Sequence, residues 1–231
     1  LRGGAGVDCA DFAAAGGALA VNLQTGSATG EGSDLLFDIE NICSGKGNDT
    51  LTGNSVNNEI EGGAGNDRVD AGAGNDIVDC GIGTDNAAGG VGNDDILGGV
   101  GADTIAGGAG IDTLTGCADG SNGGQGEIDR LTGGTEADWF ELGWSGGCYY
   151  NDASTSSTGT ADYALITDFQ VGVDSLVLDG AASNYYIGGS VAGVNGYGLY
   201  LEQGKTDELV AVIQSTTTVT VSNTISVAYY V

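Results

Sequence analysis

Six aspartates, Asp67, Asp76, Asp85, Asp94, Asp103 and Asp112, recur every nine residues, and Asp49 keeps the same frame across Asn58. Each closes a glycine-rich run of the form Gly62-Gly63-Ala64-Gly65-Asn66-Asp67. The fourth position of the run is glycine at Gly65, Gly74, Gly83, Gly92, Gly101 and Gly110, and Asn66, Asn75 and Asn93 follow it in three repeats. Glycine permits positive φ and close backbone approach, and Asn is the side chain that best tolerates the left-handed region. Such a run makes a tight turn of exposed carbonyls that ends in a carboxylate. Hard divalent cations seek that chemistry, and Ca2+ takes roughly six to eight oxygen ligands.

The turns need elements to hold them. The last three residues of each nonapeptide, as in Thr50-Leu51-Thr52 or Ile77-Val78-Asp79, read as a very short strand with its middle side chain turned inward. The frame runs from Ser44 through Gly53, Gly62, Ala71, Cys80, Gly89, Gly98 and Gly107. A disordered acidic linker has no reason to keep such a frame with an aliphatic at a fixed position.

Read as G-G-x-G-x-D-x-U-x, with U a large apolar residue, the pattern resembles the RTX calcium-binding repeat of secreted bacterial proteins. That resemblance implies a right-handed parallel β-roll with two nonapeptides per turn, so that equivalent positions stack 18 residues apart. Leu51, Val69, Ala87 and Ile105 would then form one inner ladder, and Ile60, Val78, Ile96 and Leu114 the other. Calcium would bridge neighbouring turns at the aspartate pairs 49/67, 67/85, 85/103, 76/94 and 94/112. The repeat at Gly53 is degenerate, with Asn58 in the aspartate slot. Between Gly116 and Gly123 the frame slips through a repeat one residue short, with Ser121 at the ligand position. Two looser repeats end in Asp129 and Asp138, with Glu127 and Glu136 replacing the fourth glycine; they either bind calcium weakly or cap the roll. An isolated repeat, Gly3 to Ala10, adds Asp8 as a ligand candidate and suggests a roll continuing upstream.

Charge agrees with a metal requirement. The chain has 5 Lys plus Arg against 32 Asp plus Glu, a formal net charge of −27. Aligned carboxylates without cations repel one another and oppose compaction. Burial of one aliphatic side chain, worth roughly 1.5–3 kcal/mol, does not offset about 1–2 kcal/mol of backbone entropy for each of nine residues. Metal binding supplies the difference when the unfolded chain lacks the site. The same polyanion is repelled by nucleic acid and anionic lipid, and no apolar run approaches the ~20 residues of a membrane-spanning helix. With no histidine, Ser-His-Asp triads, Cys-His pairs and the usual zinc sites are ruled out. A carboxylate pair can run glycoside chemistry, but the repeat already accounts for these acids, so no enzyme is expected.

The flanks differ from the repeats. Residues 1–43 read as a partial repeat plus a β insert, 44–141 as the calcium-binding roll, and 142–231 as a β-rich capping or secretion domain of antiparallel or mixed strands. Strand candidates are Ala18–Leu23 in the insert, then Tyr163–Phe169, Ser175–Leu178, Leu199–Glu202, Leu209–Gln214 and Val219–Val227. Residues 124–231 are similar to the C-terminal domains of cyanobacterial RTX proteins. The chain has no Met and no signal-peptide pattern, and so reads as a processed or fragmentary piece. The family resemblance implies type I export and an extracellular location, either free or at the cell surface. Of five cysteines, Cys9 and Cys43 bracket the insert and suit a disulfide staple, and the odd count leaves one thiol free or bonded to another chain. Two functions fit: a structural calcium-binding protein of a surface layer, sheath or fibril that self-associates or binds a surface polymer, and the secretion and folding module of a larger enzyme or adhesin.

Overall fold

A computed structural model describes residues 1–117, 126–143, 150, 162–178, 184–191, 193–202 and 207–215. These residues are all β, with no α-helix among them, and therefore no helix long and apolar enough to cross a membrane. The N-terminal region holds β1 (Cys9–Asp11), β2 (Ala20–Asn22), β3 (Ser27–Thr29), β4 (Ser33–Leu35) and β5 (Asn41–Cys43). The repeats give β6 (Thr50–Asn54), β7 (Glu59–Glu61), β8 (Arg68–Ala73), β9 (Ile77–Asp79), β10 (Asn86–Val91), β11 (Asp95–Gly99), β12 (Thr104–Ala109) and β13 (Thr113–Cys117). Beyond them lie β14 (Ile128–Thr135), β15 (Trp139–Glu141), β16 (Tyr163–Ile166) and β17 (Ser175–Val177). The last three are β18 (Tyr185–Ser190), β19 (Tyr197–Leu201) and β20 (Glu208–Ile213).

The chain alternates between two sheets as it winds. One has eight parallel strands in the order β1-β5-β7-β9-β11-β13-β15-β17; the other has twelve, β18-β19-β20-β16-β14-β12-β10-β8-β6-β2-β3-β4. Parallel neighbours need a crossover, and here each crossover is a strand of the opposite sheet. Leu51 pairs with Val69, Val69 with Ala87 and Ala87 with Ile105, while Ile60, Val78, Ile96 and Leu114 stack in the facing sheet. Both inner ladders have the 18-residue step expected of a roll. Their side chains meet between the sheets and are at most 3 % exposed.

Past β13 the register corrects the sequence reading. Ile105 stacks on Leu131 and Leu114 on Phe140, each 26 residues on, eight more than the interior step. The short stretch from Gly116 is therefore not a half-turn of its own. Residues 118–125 lie outside the described residues, and Asp129 and Asp138 land directly over Asp103 and Asp112. Ser121 lies outside the described residues. Stacking then continues through Leu131 to Ile166 and Phe140 to Leu176, so both sheets run on past residue 141.

The insert joins the roll. β2 pairs with β6, placing Val21 beside Leu51, and β3 and β4 extend the sheet edge as antiparallel strands. At the other end β18, β19 and β20 form an antiparallel meander, and β20 runs parallel to β16. The sequence reading had no strand at β18, and its Val219–Val227 candidate lies outside the described residues. Cys9 and Cys43 do come together, their sulfurs 2.7 Å apart, but as free thiols rather than the expected disulfide. Cys80 is a buried free thiol and Cys117 is disulfide-bonded.

Candidate metal centre

The turns along the two edges of the roll each carry one acid, and the acids stack into two ladders. On one edge the backbone N–H of Asp49 donates to Asp67 Oδ1, Asp67 to Asp85, Asp85 to Asp103 and Asp103 to Asp129, at 2.6–2.8 Å. On the other, Asn58 donates to Asp76, Asp76 to Asp94, Asp94 to Asp112, Asp112 to Asp138 and Asp138 to Asp174, at 2.7–3.2 Å. The 18-residue step thus uses one oxygen of each carboxylate to staple consecutive turns.

The second oxygen behaves differently. In Asp67, Asp85, Asp103, Asp76, Asp94, Asp112 and Asp138 the Oδ2 atom is buried and has no hydrogen-bond partner. None of these residues is more than 3 % exposed. Buried polar atoms almost always find partners, and a buried unpaired charge is costly. Burial accordingly lifts Asp67, Asp76, Asp85 and Asp112 to about 6, Asp138 to about 7 and Asp103 to about 8. Asp94 is shifted the same way for the same reason. The N–H staples pull these values down, and the neighbouring acids push several of them further up.

A divalent cation on these oxygens relieves both burial and repulsion. Among the described residues no three His, Cys, Asp or Glu side chains converge on one metal position. One carboxylate per turn must then be completed by backbone carbonyls, which suits Ca2+ and does not suit a thiolate or imidazole metal.

Glycine is required where the turns stack. Gly92 has φ 136°, and a Cβ there would sit far inside contact distance of the Gly74 carbonyl oxygen. Gly65, Gly74, Gly83, Gly101 and Gly110 also have positive φ. The asparagines form their own outer ladder: Asn66 N–H donates to Asn48 Oδ1, Asn75 to Asn57 and Asn93 to Asn75. They space the turns, and their side-chain oxygens are engaged in doing so.

Residues 44–78 and 81–114 match the family model of the RTX calcium-binding nonapeptide repeat. The chain carries RTX repeats. No curated protein matches it. The matched segments contain the RTX aspartates Asp49, Asp67, Asp76, Asp85, Asp94, Asp103 and Asp112, and the stacking extends the RTX ladders beyond them through Asp129, Asp138 and Asp174. Asp8 also falls in the RTX register: its N–H donates to Glu40 Oε2 at 3.0 Å, and its Oδ2 has no partner.

Sequence reasoning missed four participants. Glu40 lies 18 residues before Asn58, so the period itself points to it. Asp174 falls between the strand candidates Tyr163–Phe169 and Ser175–Leu178 and was given no role. Ser44 was seen as a repeat start but not as a ligand partner. Tyr150, whose hydroxyl donates to Asp129 Oδ2 at 2.5 Å, carries no local signal at all.

Proposed function

We propose that this chain is an extracellular calcium-binding structural protein. Its RTX roll folds on Ca2+ after type I export and contributes to a self-assembling surface layer, sheath or fibril. The observation that carries the reading is the set of buried Oδ2 atoms without partners, repeated at every interior turn. Each turn holds a carboxylate in place by stapling one oxygen, which leaves the other for a cation together with carbonyl oxygens of the same turns. The ion supplies the counter-charge for acids that the fold buries. No catalytic role is assigned to these acids, because each repeats the same structural duty along the ladder.

Export fits this chemistry: where calcium is scarce the acids repel and the roll stays open, and where it is abundant the roll closes. Self-association is supported by the sheet ends. Among the described residues, β1 at one edge of the eight-stranded sheet and β4 at one edge of the twelve-stranded sheet each have a single strand partner, which leaves an edge for pairing. Far-UV circular dichroism through a calcium titration tests the folding step. The chelated chain should be largely unfolded near neutral pH and should gain β signal with calcium; a spectrum already β-rich in chelator and indifferent to calcium would refute the proposal.

A further inference from the structure

We propose that protein donors close both ends of the two ladders that run from Asp49 to Asp129 and from Asn58 to Asp174 by standing in the cation's place, so that within these ladders calcium enters only the turns between the ends; Asp8, with its own partnerless Oδ2, lies outside them. This rests on the calcium reading above. Two interior sets are open: Asp67, Asp85 and Asp103 on one edge, and Asp76, Asp94, Asp112 and Asp138 on the other, all with a partnerless Oδ2. The four ends differ. Ser44 Oγ donates to Asp49 Oδ2, and the Tyr150 hydroxyl donates to Asp129 Oδ2 at 2.5 Å. On the second edge the Gln170 N–H donates to Asp174 Oδ2 at 2.7 Å. At its other end the uncharged Asn58 replaces an aspartate, with its side chain bonded to the Asn54 N–H and the Glu40 carbonyl.

Position explains how the hydroxyls reach these oxygens. The first residue of each repeat faces the Oδ2 of its own aspartate: a Cβ on Gly98 would lie 2.7 Å from Asp103 Oδ2. Ser44 holds that first position in the opening repeat, so its Oγ supplies a hydroxyl that the interior repeats lack, since Gly62, Ala71, Cys80, Gly89, Gly98 and Gly107 stand there. Tyr150 comes from outside the repeats, and its hydroxyl occupies the equivalent space beside Gly116, the first residue of the Asp129 turn. A buried carboxylate with an N–H on one oxygen and an O–H on the other is satisfied without metal. A cation there must displace a donor, whereas at an interior turn it meets an oxygen that nothing else serves. On this edge the caps stop the array at Asp49, just past the insert, and at Asp129, 26 residues beyond Asp103.

Native mass spectrometry of the full chain in calcium counts the ions. Ser44→Gly restores the two leading glycines before Lys46-Gly47-Asn48-Asp49 and removes the donor; the variant should bind one more calcium than the parent. Asp49→Asn should keep the parent count, whereas Asp67→Asn should lose one ion. An unchanged count in Ser44→Gly, or loss of an ion in Asp49→Asn, overturns the capping assignment while calcium binding stands. A parent chain that retains no calcium overturns the capping assignment and the proposed function together.

Discussion

A single carboxylate in this fold has two tasks, and they depend on pH in opposite ways. Its folded pKa is raised by burial, to about 6 in Asp67, Asp76 and Asp85 and about 8 in Asp103. For a carboxyl raised above its unfolded value of ~3.9, the metal-free fold is favoured while the group is protonated. That contribution is fully present below the unfolded value and is lost as pH rises through about 6 to 8. The chelated chain should therefore recover β signal on acidification toward pH 4–5, read by circular dichroism. Calcium binding needs the ionised form, so apparent affinity should fall over the same window, measured by isothermal titration. A chelated chain equally unfolded at pH 4.5 and pH 8 would contradict the burial account. Backbone demands are as local. Gly92→Ala places a methyl against the Gly74 carbonyl at a φ that L side chains avoid, at a cost of about 2–4 kcal/mol. Its calcium-loaded melting temperature should drop clearly, whereas Gly16→Ala, with open space around it, should leave melting nearly unchanged.

At the scale of the element, each strand of three to eight residues is too short to stand alone and depends on the strands above and below. Ile96 shows the dependence: it is fully buried and lies in register between Val78 and Leu114. Ile96→Ala removes contacts to both, and a cost of about 2–5 kcal/mol is expected. In a nearest-neighbour array the loss spreads to both adjoining turns. Hydrogen exchange on the calcium-loaded chain should show lowered protection across β9, β11 and β13 together. Val100→Ala, at a 44 % exposed turn position, should stay within about 0.5 kcal/mol of the parent. Equal effects at the two positions would mean that the inner ladder does not organise the roll. The register also shows that the longer step beyond β13 preserves the inner ladders: Leu131 lies beside Ile105 and Phe140 beside Leu114, so no inward side chain changes face.

For the whole molecule, the two sheets and the two acid ladders are a single object, and on the calcium reading proposed above an ion that neutralises a turn would also join it to the next. A net charge of −27 sets the cost of assembling that object and limits contact between copies. Calcium reduces both. The assembly proposed above should accordingly depend on calcium: electron microscopy and light scattering of the calcium-loaded chain should show multimers that loosen in chelator. A monodisperse monomer in both conditions would move the reading to a secretion and folding module of a larger protein.

The nine-residue frame by itself determined the roll, because a period that alternates turn and strand leaves a parallel coil as the way to bury one aliphatic in nine. It also determined the inner ladders and the aspartate stacks, since both follow from counting in steps of 18. Glu40 obeys the same count and was overlooked only because its segment lacks glycine: Asp38, at φ 54°, supplies a left-handed turn residue there instead. The slip was misread because a stretch one residue short of nine looks like a damaged repeat, and only the pairing of Thr104 with Arg130 places those residues outside the count. Tyr150 was beyond any local reading. Its hydroxyl meets Asp129 across 21 residues, from a position outside the repeats, and that meeting is decided by the burial of Tyr150 in the packed core. Periodic contacts are written in the sequence because each repeat encounters a copy of itself. The contacts that end the array join unlike segments, so tertiary packing alone brings them together.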